Sequence, residues 1–316
     1  MILCVTLNPL VDTSYFVDEI KPVYRTEVKR ITHVPGGKGT NVALALKVLG
    51  ERPRAFTVLG GRAGRHHADL MVEAGLEAAI AWISGETRVS VTVVDRDNVQ
   101  RGYFAPPPEL TAEDVAVIRR EYLRALEGVN AVCICGSALG PLTEPLVPEF
   151  IEAARARGLP TLLDTYGDAL RLGLQAAPTI VKANRHEVAG LLGHPLESAA
   201  ERWQALDELR RSGAEWAIIT LGEEGAMFAT AGERWVAHPP PVPVVNPMGS
   251  GDAMTAAVML GRLRGWPPVE CFRYGMAVAV ANVQSFLPCQ FRREEVEAAL
   301  GQIRLVPAGQ ADERNA

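Results

Sequence analysis

The sequence is short of cysteine, of clustered basic charge and of long apolar runs, and each shortage closes a class of protein. Its 316 residues include five cysteines, an odd number, and no CxxC pair. That pattern makes no disulfide framework and leaves reduced thiols in a cytosolic protein as the expectation. Lysine and arginine number 32 against 37 aspartates and glutamates, a net charge of −5, with no cationic stripe to follow a nucleic-acid backbone. No nucleic-acid partner is expected. No apolar stretch nears the roughly 18 residues of a membrane span, and the opening MILCVTLNPL has no basic leader and reaches Asn-Pro too soon for a signal peptide. No membrane partner is expected, and a cytoplasmic location is. Internal repeats and linkers are also missing, which leaves room for one large α/β domain with a small appendage.

What is present alternates between strands and helices. ILCVTL is a continuous apolar run, as in a strand buried on both faces, and Cys133 and Cys135 alternate within NAVCICG in the same way. After GGKG, the residues Val42, Ala45, Leu46 and Leu49 recur at helical spacing before Gly50, so a helix is predicted over 38–49. Further alternation through RAFTVLG, HHADLMVEAG, AVCICG, LVPEFIEAARARG, PTLLD, PTIVKAN and WAIITLG predicts a mainly parallel sheet covered on both sides. Helices are predicted near 250–264, 268–285 and 292–301. The mixed-polarity stretch 13–34 and the hairpin around DRDN are predicted to form a small separate sheet, and GQADERNA reads as a disordered tail. In such a fold ligands gather at the carboxyl ends of strands. Those positions carry Asn8, Asp12, Ser137, Asp164, Lys182, Asn184, Thr220 and Gly222.

Four stretches carry chemistry. In MGSGDAM, Gly249, Ser250 and Gly251 let successive amides point into one space at a helix start, a place for an anion. Asp252 in the same turn would repel that anion, which makes sense if it takes a proton from an alcohol attacking a phosphoryl group; alone, it also reads as a helix cap. In PGGKGTNVA, Lys38 beside Gly37 opposes the helix dipole unless an anion is shared between them, although the spacing is not that of a Walker loop. Arg88 opens a strand of the small sheet and could grip a phosphate by two prongs; Arg101 lies near the end of the same hairpin, and an exposed arginine is the commoner explanation for each taken alone, more so for Arg101. Asn184 and Glu187, three apart, have the geometry of a capping box, which is compatible with Glu187 lying near a water-shelled Mg²⁺. TLGEEGA reads as a strand end and a glycine-bounded hairpin. The histidines supply no ligand frame for a metal, and DRDN lacks the glycine and later glutamate of a calcium loop.

Together, TLNPLVD, GGKGTNVA, ETR, GS, LLDT, KAN with its glutamate, TLGEEGA and GSGD resemble the ribokinase-like PfkB sugar kinases, in particular the hexose-phosphate branch. The resemblance runs from Leu3 to about Leu300. It implies a three-layer α/β/α sandwich with a mainly parallel central sheet and a small β-sheet lid. The core would comprise 1–12, 35–86 and 106–305, the lid 13–34 and 87–105, and the tail 306–316. It implies Asp252 as catalytic base, with the backbone of Gly249, Ser250 and Gly251 as anion hole. Asp12, Gly37, Lys38 and Asn41 would lie along a sugar phosphate, Arg88 on its existing phosphate, and Ser137 and Arg101 on the same side. Lys182, Asn184 and Glu187 would organise ATP phosphates and Mg²⁺, the last through water; Thr220, Gly222 and Gly225 would border the nucleotide, and Asn282 would approach the adenine. The lid would pair two subunits. The expected reaction is phosphorylation of the free primary hydroxyl of a ketohexose monophosphate of the fructose 1-phosphate or tagatose 6-phosphate type. The alternatives are a kinase for an unphosphorylated sugar or nucleoside, a non-catalytic sugar-phosphate binder, and a dinucleotide oxidoreductase, the last disfavoured because VLGGRAG is GGxxG rather than GxGxxG.

Overall fold

The computed structural model describes residues 1–20, 25–97 and 99–311. Strand β1 (Ile2–Thr6) is buried along its whole length, as its unbroken apolar run requires. The chain then forms β2 (Leu10–Phe16), β3 (Arg30–Gly36), α1 (Lys38–Val48), β4 (Arg54–Gly60), α2 (Gly61–Glu73), β5 (Glu77–Ile83), β6 (Arg88–Val94) and β7 (Gln100–Phe104). Next come α3 (Ala112–Ala125), β8 (Ala131–Cys135), α4 (Leu146–Arg155), β9 (Thr161–Asp164), α5 (Gly167–Gln175), β10 (Ile180–Asn184), α6 (Arg185–Leu192), α7 (Ala199–Arg211) and β11 (Trp216–Thr220). The last part contains β12 (Ala226–Ala229), β13 (Arg234–His238), α8 (Ser250–Leu263), α9 (Pro268–Val283), α10 (Arg293–Leu300), β14 (Arg304–Pro307) and α11 (Ala308–Ala311).

Ten strands make one sheet in the order β14-β13-β12-β11-β10-β9-β8-β1-β4-β5. The strands from β5 to β11 run parallel, and β12, β13 and β14 turn back antiparallel at one edge. Alternation along the strands divides the core. Cys4, Cys133, Leu162 and Ile218 face α1, α8 and α9 through Val42, Leu46, Ala257 and Phe272. Val5, Ile134, Leu163 and Ile219 face the helices α3 to α7 through Tyr122, Phe150, Leu170 and Leu206. Full burial of one such side chain contributes about 1.5–3 kcal/mol, and these two layers fix the sheet between them. All five cysteines are buried and unpaired.

A second sheet, β3-β2-β6-β7, pairs β2 with β6 in parallel and the outer strands antiparallel. β2 leaves the end of β1 almost at once and β3 feeds directly into α1, so the small sheet stands over the carboxyl end of the large one. Residues 21–24, within the stretch 13–34, and Asn98 of DRDN lie outside the described residues.

At both edges of the large sheet the structure departs from the sequence reading. EAAIAWI forms edge strand β5, whose alanine-rich, half-exposed face gives little apolar alternation to detect. The tail expected over 306–316 does not begin there: Val306 and Pro307 pair with β13 in β14, and 308–311 form a helical turn, while 312–316 lie outside the described residues. The polar composition of the end hides a strand whose partner is the buried Val236 on β13.

Candidate active site

The carboxyl ends of β1 and β8, the small sheet and the start of α8 enclose a cleft of about 310 Å³, a size suited to a small metabolite. At its base is the turn into α8. Gly249 has φ +79°, a left-handed conformation that a side chain disfavours, and a Cβ there would stand 2.9 Å from Pro288 Cβ. The first intrahelical bond runs from Ala253 N to Gly249 O at 2.8 Å, so the Gly251 and Asp252 amides precede the ladder and belong to the positive end of the helix.

Asp252 sits in that first turn, only 5% exposed, and its Oδ2 accepts from Asn41 Nδ2 at 2.8 Å. Burial, reinforced by the nearby charge of Asp164, pushes its carboxyl up to about 6, against the opposing pull of Lys38, the Asn41 bond and Lys182. The result is a carboxylate poised near neutrality as a proton acceptor.

Beneath it lies an ion-pair network. Asp164 ends β9 fully buried; its Oδ2 accepts from Lys182 Nζ at 2.8 Å and from Thr255 Oγ1 at 2.8 Å, and its Oδ1 accepts from Lys38 Nζ at 3.3 Å. Burial would raise the Asp164 carboxyl, but the two ammonium groups outweigh it and hold the group down at about 2. Lys38 also donates to Glu187 Oε1 at 3.1 Å. Its own burial works to lower its pKa, and the charges of Asp164, Glu187 and Asp252 override that and raise it, so it is a fixed cation. Lys182 Nζ would lie 3.3 Å from a Cβ on Gly251, directly under the helix turn.

Glu187 does two things at once. Asn184 and Glu187 form the predicted capping box, Glu187 N to Asn184 Oδ1 at 2.9 Å and Asn184 N to Glu187 Oε2 at 2.8 Å, while the other carboxylate oxygen takes Lys38. At the far end of the cleft, Ser90 Oγ donates to Asp12 Oδ1 at 2.8 Å, and burial raises the Asp12 carboxyl despite that bond. Arg88 donates to Asn8 O at 3.4 Å, Asn8 Nδ2 donates to Ser137 Oγ at 3.0 Å, and no acidic side chain pairs with Arg88 among the described residues. Burial lowers the Arg88 pKa, so an arriving anion would find its charge little screened.

Of the sequence candidates, Asp12, Gly37, Lys38, Asn41, Arg88, Ser137, Gly249 and Asp252 line one cleft. Three candidates stand elsewhere. Arg101 is exposed on β7, paired with Val93, and does not line the cleft. Lys182 is 3% exposed and engaged with Asp164, so it underlies the site and does not line the cleft. Asn282 is 1% exposed, and its amide is spent on Met248 O, Ser250 Oγ and Cys289 N, so it braces the turn before α8 and cannot face an adenine. Thr220 pairs in register with Asn184 at the neighbouring strand end; Gly222 has open space beside it, whereas Gly225 packs so closely on Ala237 O that the fold itself demands a glycine. The glycine after Lys38 has a packing cause, since a Cβ on Gly39 would collide with Val5 O where α1 crosses β1. The roles of Asp164 and Thr255 escaped the motif reading. For Asp164 the signals were its place just where a strand ends and the LLDT stretch that holds it, neither of which assigned it a role.

No cluster of three metal-binding side chains exists among the described residues, and no helix among them is long and apolar enough to cross a membrane. A family model described as pfkB family carbohydrate kinase matches residues 2–292. The fold is similar to phosphofructokinase-2 from Escherichia coli solved with potassium, at a TM-score of 0.88 and 24% identity over 95% of this chain and 98% of that one. It is equally similar to a possible 1-phosphofructokinase from Thermotoga maritima, at a TM-score of 0.88 and 23% identity over 97% and 99% of the two chains. A putative ribokinase from Agrobacterium tumefaciens aligns at a TM-score of 0.76 and 19% identity, covering 95% of this chain and 97% of its own.

Proposed function

The chain belongs to the pfkB family of carbohydrate kinases, and from that premise we propose that it transfers the terminal phosphoryl group of ATP to the free primary hydroxyl of a ketohexose monophosphate. The product is a bisphosphate. The observation that carries the reading is the pairing of Asp252, a buried carboxylate raised to about 6, with a helix start whose free amides share its turn. Asp252 takes the hydroxyl proton as the oxygen attacks phosphorus. The amides around Gly249, Ser250 and Gly251 meet the charge that develops on the transferring group, and Lys38 keeps a positive charge beside it. A non-catalytic binder would have no use for a proton acceptor held in this state.

A Mg²⁺ bound with the nucleotide would neutralise its phosphates. The residues fit an ion that arrives with the phosphates and keeps its water, because no protein cage exists among the described residues and both Glu187 oxygens already accept hydrogen bonds. The nucleotide would extend from Asn184 and Glu187 toward Thr220 and the open side of Gly222. Exposed Ile31, Val89, Tyr103 and Phe104 on the small sheet support pairing of two subunits through the lid.

A kinase for an unphosphorylated sugar is the second reading, and one observation favours it: Lys38 is already neutralised by Asp164 and Glu187, so only Arg88 is left to ask for a substrate phosphate. ADP release measured with fructose 1-phosphate, fructose 6-phosphate, tagatose 6-phosphate and free fructose separates the two. Arg88→Ala should raise KM steeply for the sugar phosphate that is used. An unchanged KM, or a preference for free fructose, would overturn the proposed substrate class.

A further inference from the structure

The turn that carries the anion hole is gripped by the segment that follows α9, and the small sheet holds that segment in turn. Phe286 O accepts from Asn246 Nδ2 at 2.9 Å, and Asn246 Oδ1 accepts from Met248 N at 3.0 Å. Asn282 Nδ2 donates to Met248 O at 2.9 Å and to Ser250 Oγ at 3.0 Å, while its Oδ1 accepts from Cys289 N at 2.7 Å. Cys289 Sγ donates to Gly249 O at 3.5 Å. The ring of contacts therefore closes on the glycine whose conformation aims the amides of the helix start.

Two features mark the segment as built to hold a position. Cys289 adopts φ +57°, a conformation disfavoured for a residue with a side chain, and it is fully buried there. Phe286 is the reverse case: it is 41% exposed, yet its ring meets Phe16 of β2 at 5.2 Å, with the Arg30 guanidinium of β3 4.0 Å from the Phe16 ring and 5.3 Å from that of Phe286. Phe286 belongs to neither hydrophobic layer, so core packing does not account for its place.

We propose that Phe286 is a positioning residue: seated on Phe16 and Arg30 of the small sheet, it sets the 246–250 turn through Asn246, Asn282 and Cys289, so that seating of the small sheet and assembly of the anion hole are one event. The structural half stands on the contacts alone. The catalytic half rests on the kinase reading. None of the variants below removes a core side chain or a residue that lines the cleft, so the fold should be retained.

The test uses the full chain with Phe16→Ala, Phe286→Ala, the double variant and Phe286→Tyr. Amide hydrogen exchange over 246–252 should quicken in both alanine variants, stay near the parent's in Phe286→Tyr, and leave the α3 to α7 layer unchanged. With ATP and fructose 1-phosphate, each single alanine variant should lower kcat about tenfold, the scale of a small misplacement at a reacting centre. KM for ATP should hold within about twofold, and the double variant should be no worse than either single one. Unchanged exchange over 246–252 in Phe286→Ala overturns the proposal, as do additive losses or a rise confined to sugar KM. A parent inactive on every sugar would refute the kinase reading, and the exchange measurement would still decide the coupling.

Discussion

Asn41→Ala isolates the group that tunes the proposed base. The Asp252 carboxyl stands at about 6 against an ordinary 3.8, a difference of about two units, or about 3 kcal/mol disfavouring its charged form. The Asn41 bond at 2.8 Å works the other way, favouring the carboxylate. A hydrogen bond to a charged group contributes about 1.5–3 kcal/mol, and water entering the half-open side of the cleft would replace part of that. The acid limb of kcat/KM should therefore move up by about one unit, from near pH 6 to near pH 7. The assay is ADP release at saturating ATP and varied sugar phosphate from pH 5 to pH 9. A uniform loss at all pH values would reflect weaker sugar binding and does not bear on the limb's position. A limb that stays in place or moves to lower pH refutes the electrostatic account, as does a parent profile flat down to pH 5.

Three further outcomes follow from the same geometry. Because the folded-state pKa of Asp252 is raised, its contribution to stability is fully present below pH 3.8 and is lost as pH rises through about 6; Asp252→Asn should accordingly melt higher than the parent at pH 8, with the gap closing toward pH 4, and a lower Tm at pH 8 would contradict this. Asp164 has the opposite sign: its stabilisation is present above pH 3.8 and lost as pH falls through about 2. Asp164→Asn takes from the 3%-exposed Lys182 the carboxylate it pairs with directly and should cost about 3–5 kcal/mol in denaturant unfolding at pH 7. Gly249→Ala forces a side chain into φ +79° against Pro288, costs about 1–2 kcal/mol and should lower kcat with KM for ATP nearly unchanged; parent-like turnover would show that the turn does not shape the hole.

The large sheet was legible because its strands are buried on both faces and so read as unbroken apolar runs, as in ILCVT and AVCIC. Strand β5 was not, because an edge strand needs little apolar patterning and EAAIAWI shows little. In the site, spacing revealed the residues with backbone or capping duties: Gly249 and Asp252 in one turn, Asn184 and Glu187 in a box that also engages Lys38. Spacing could not reveal pairings across long separations. Lys38 looked like a cation in need of a phosphate, and only the fold brings Asp164 and Glu187 to it from 126 and 149 residues away. Asn282 was placed near a nucleotide by the resemblance alone; that its amide turns inward to Met248, Ser250 and Cys289 depends on how α9 packs, which no local pattern states.

Single-turnover phosphoryl transfer by Asp252→Asn, with ATP and the best sugar phosphate of the panel, tests the central claim most directly. The substitution keeps the shape of the side chain and removes the proton acceptor, so the rate should fall by about 10²–10⁴-fold with ATP binding retained. A rate within a few-fold of the parent's would mean that Asp252 is not the base.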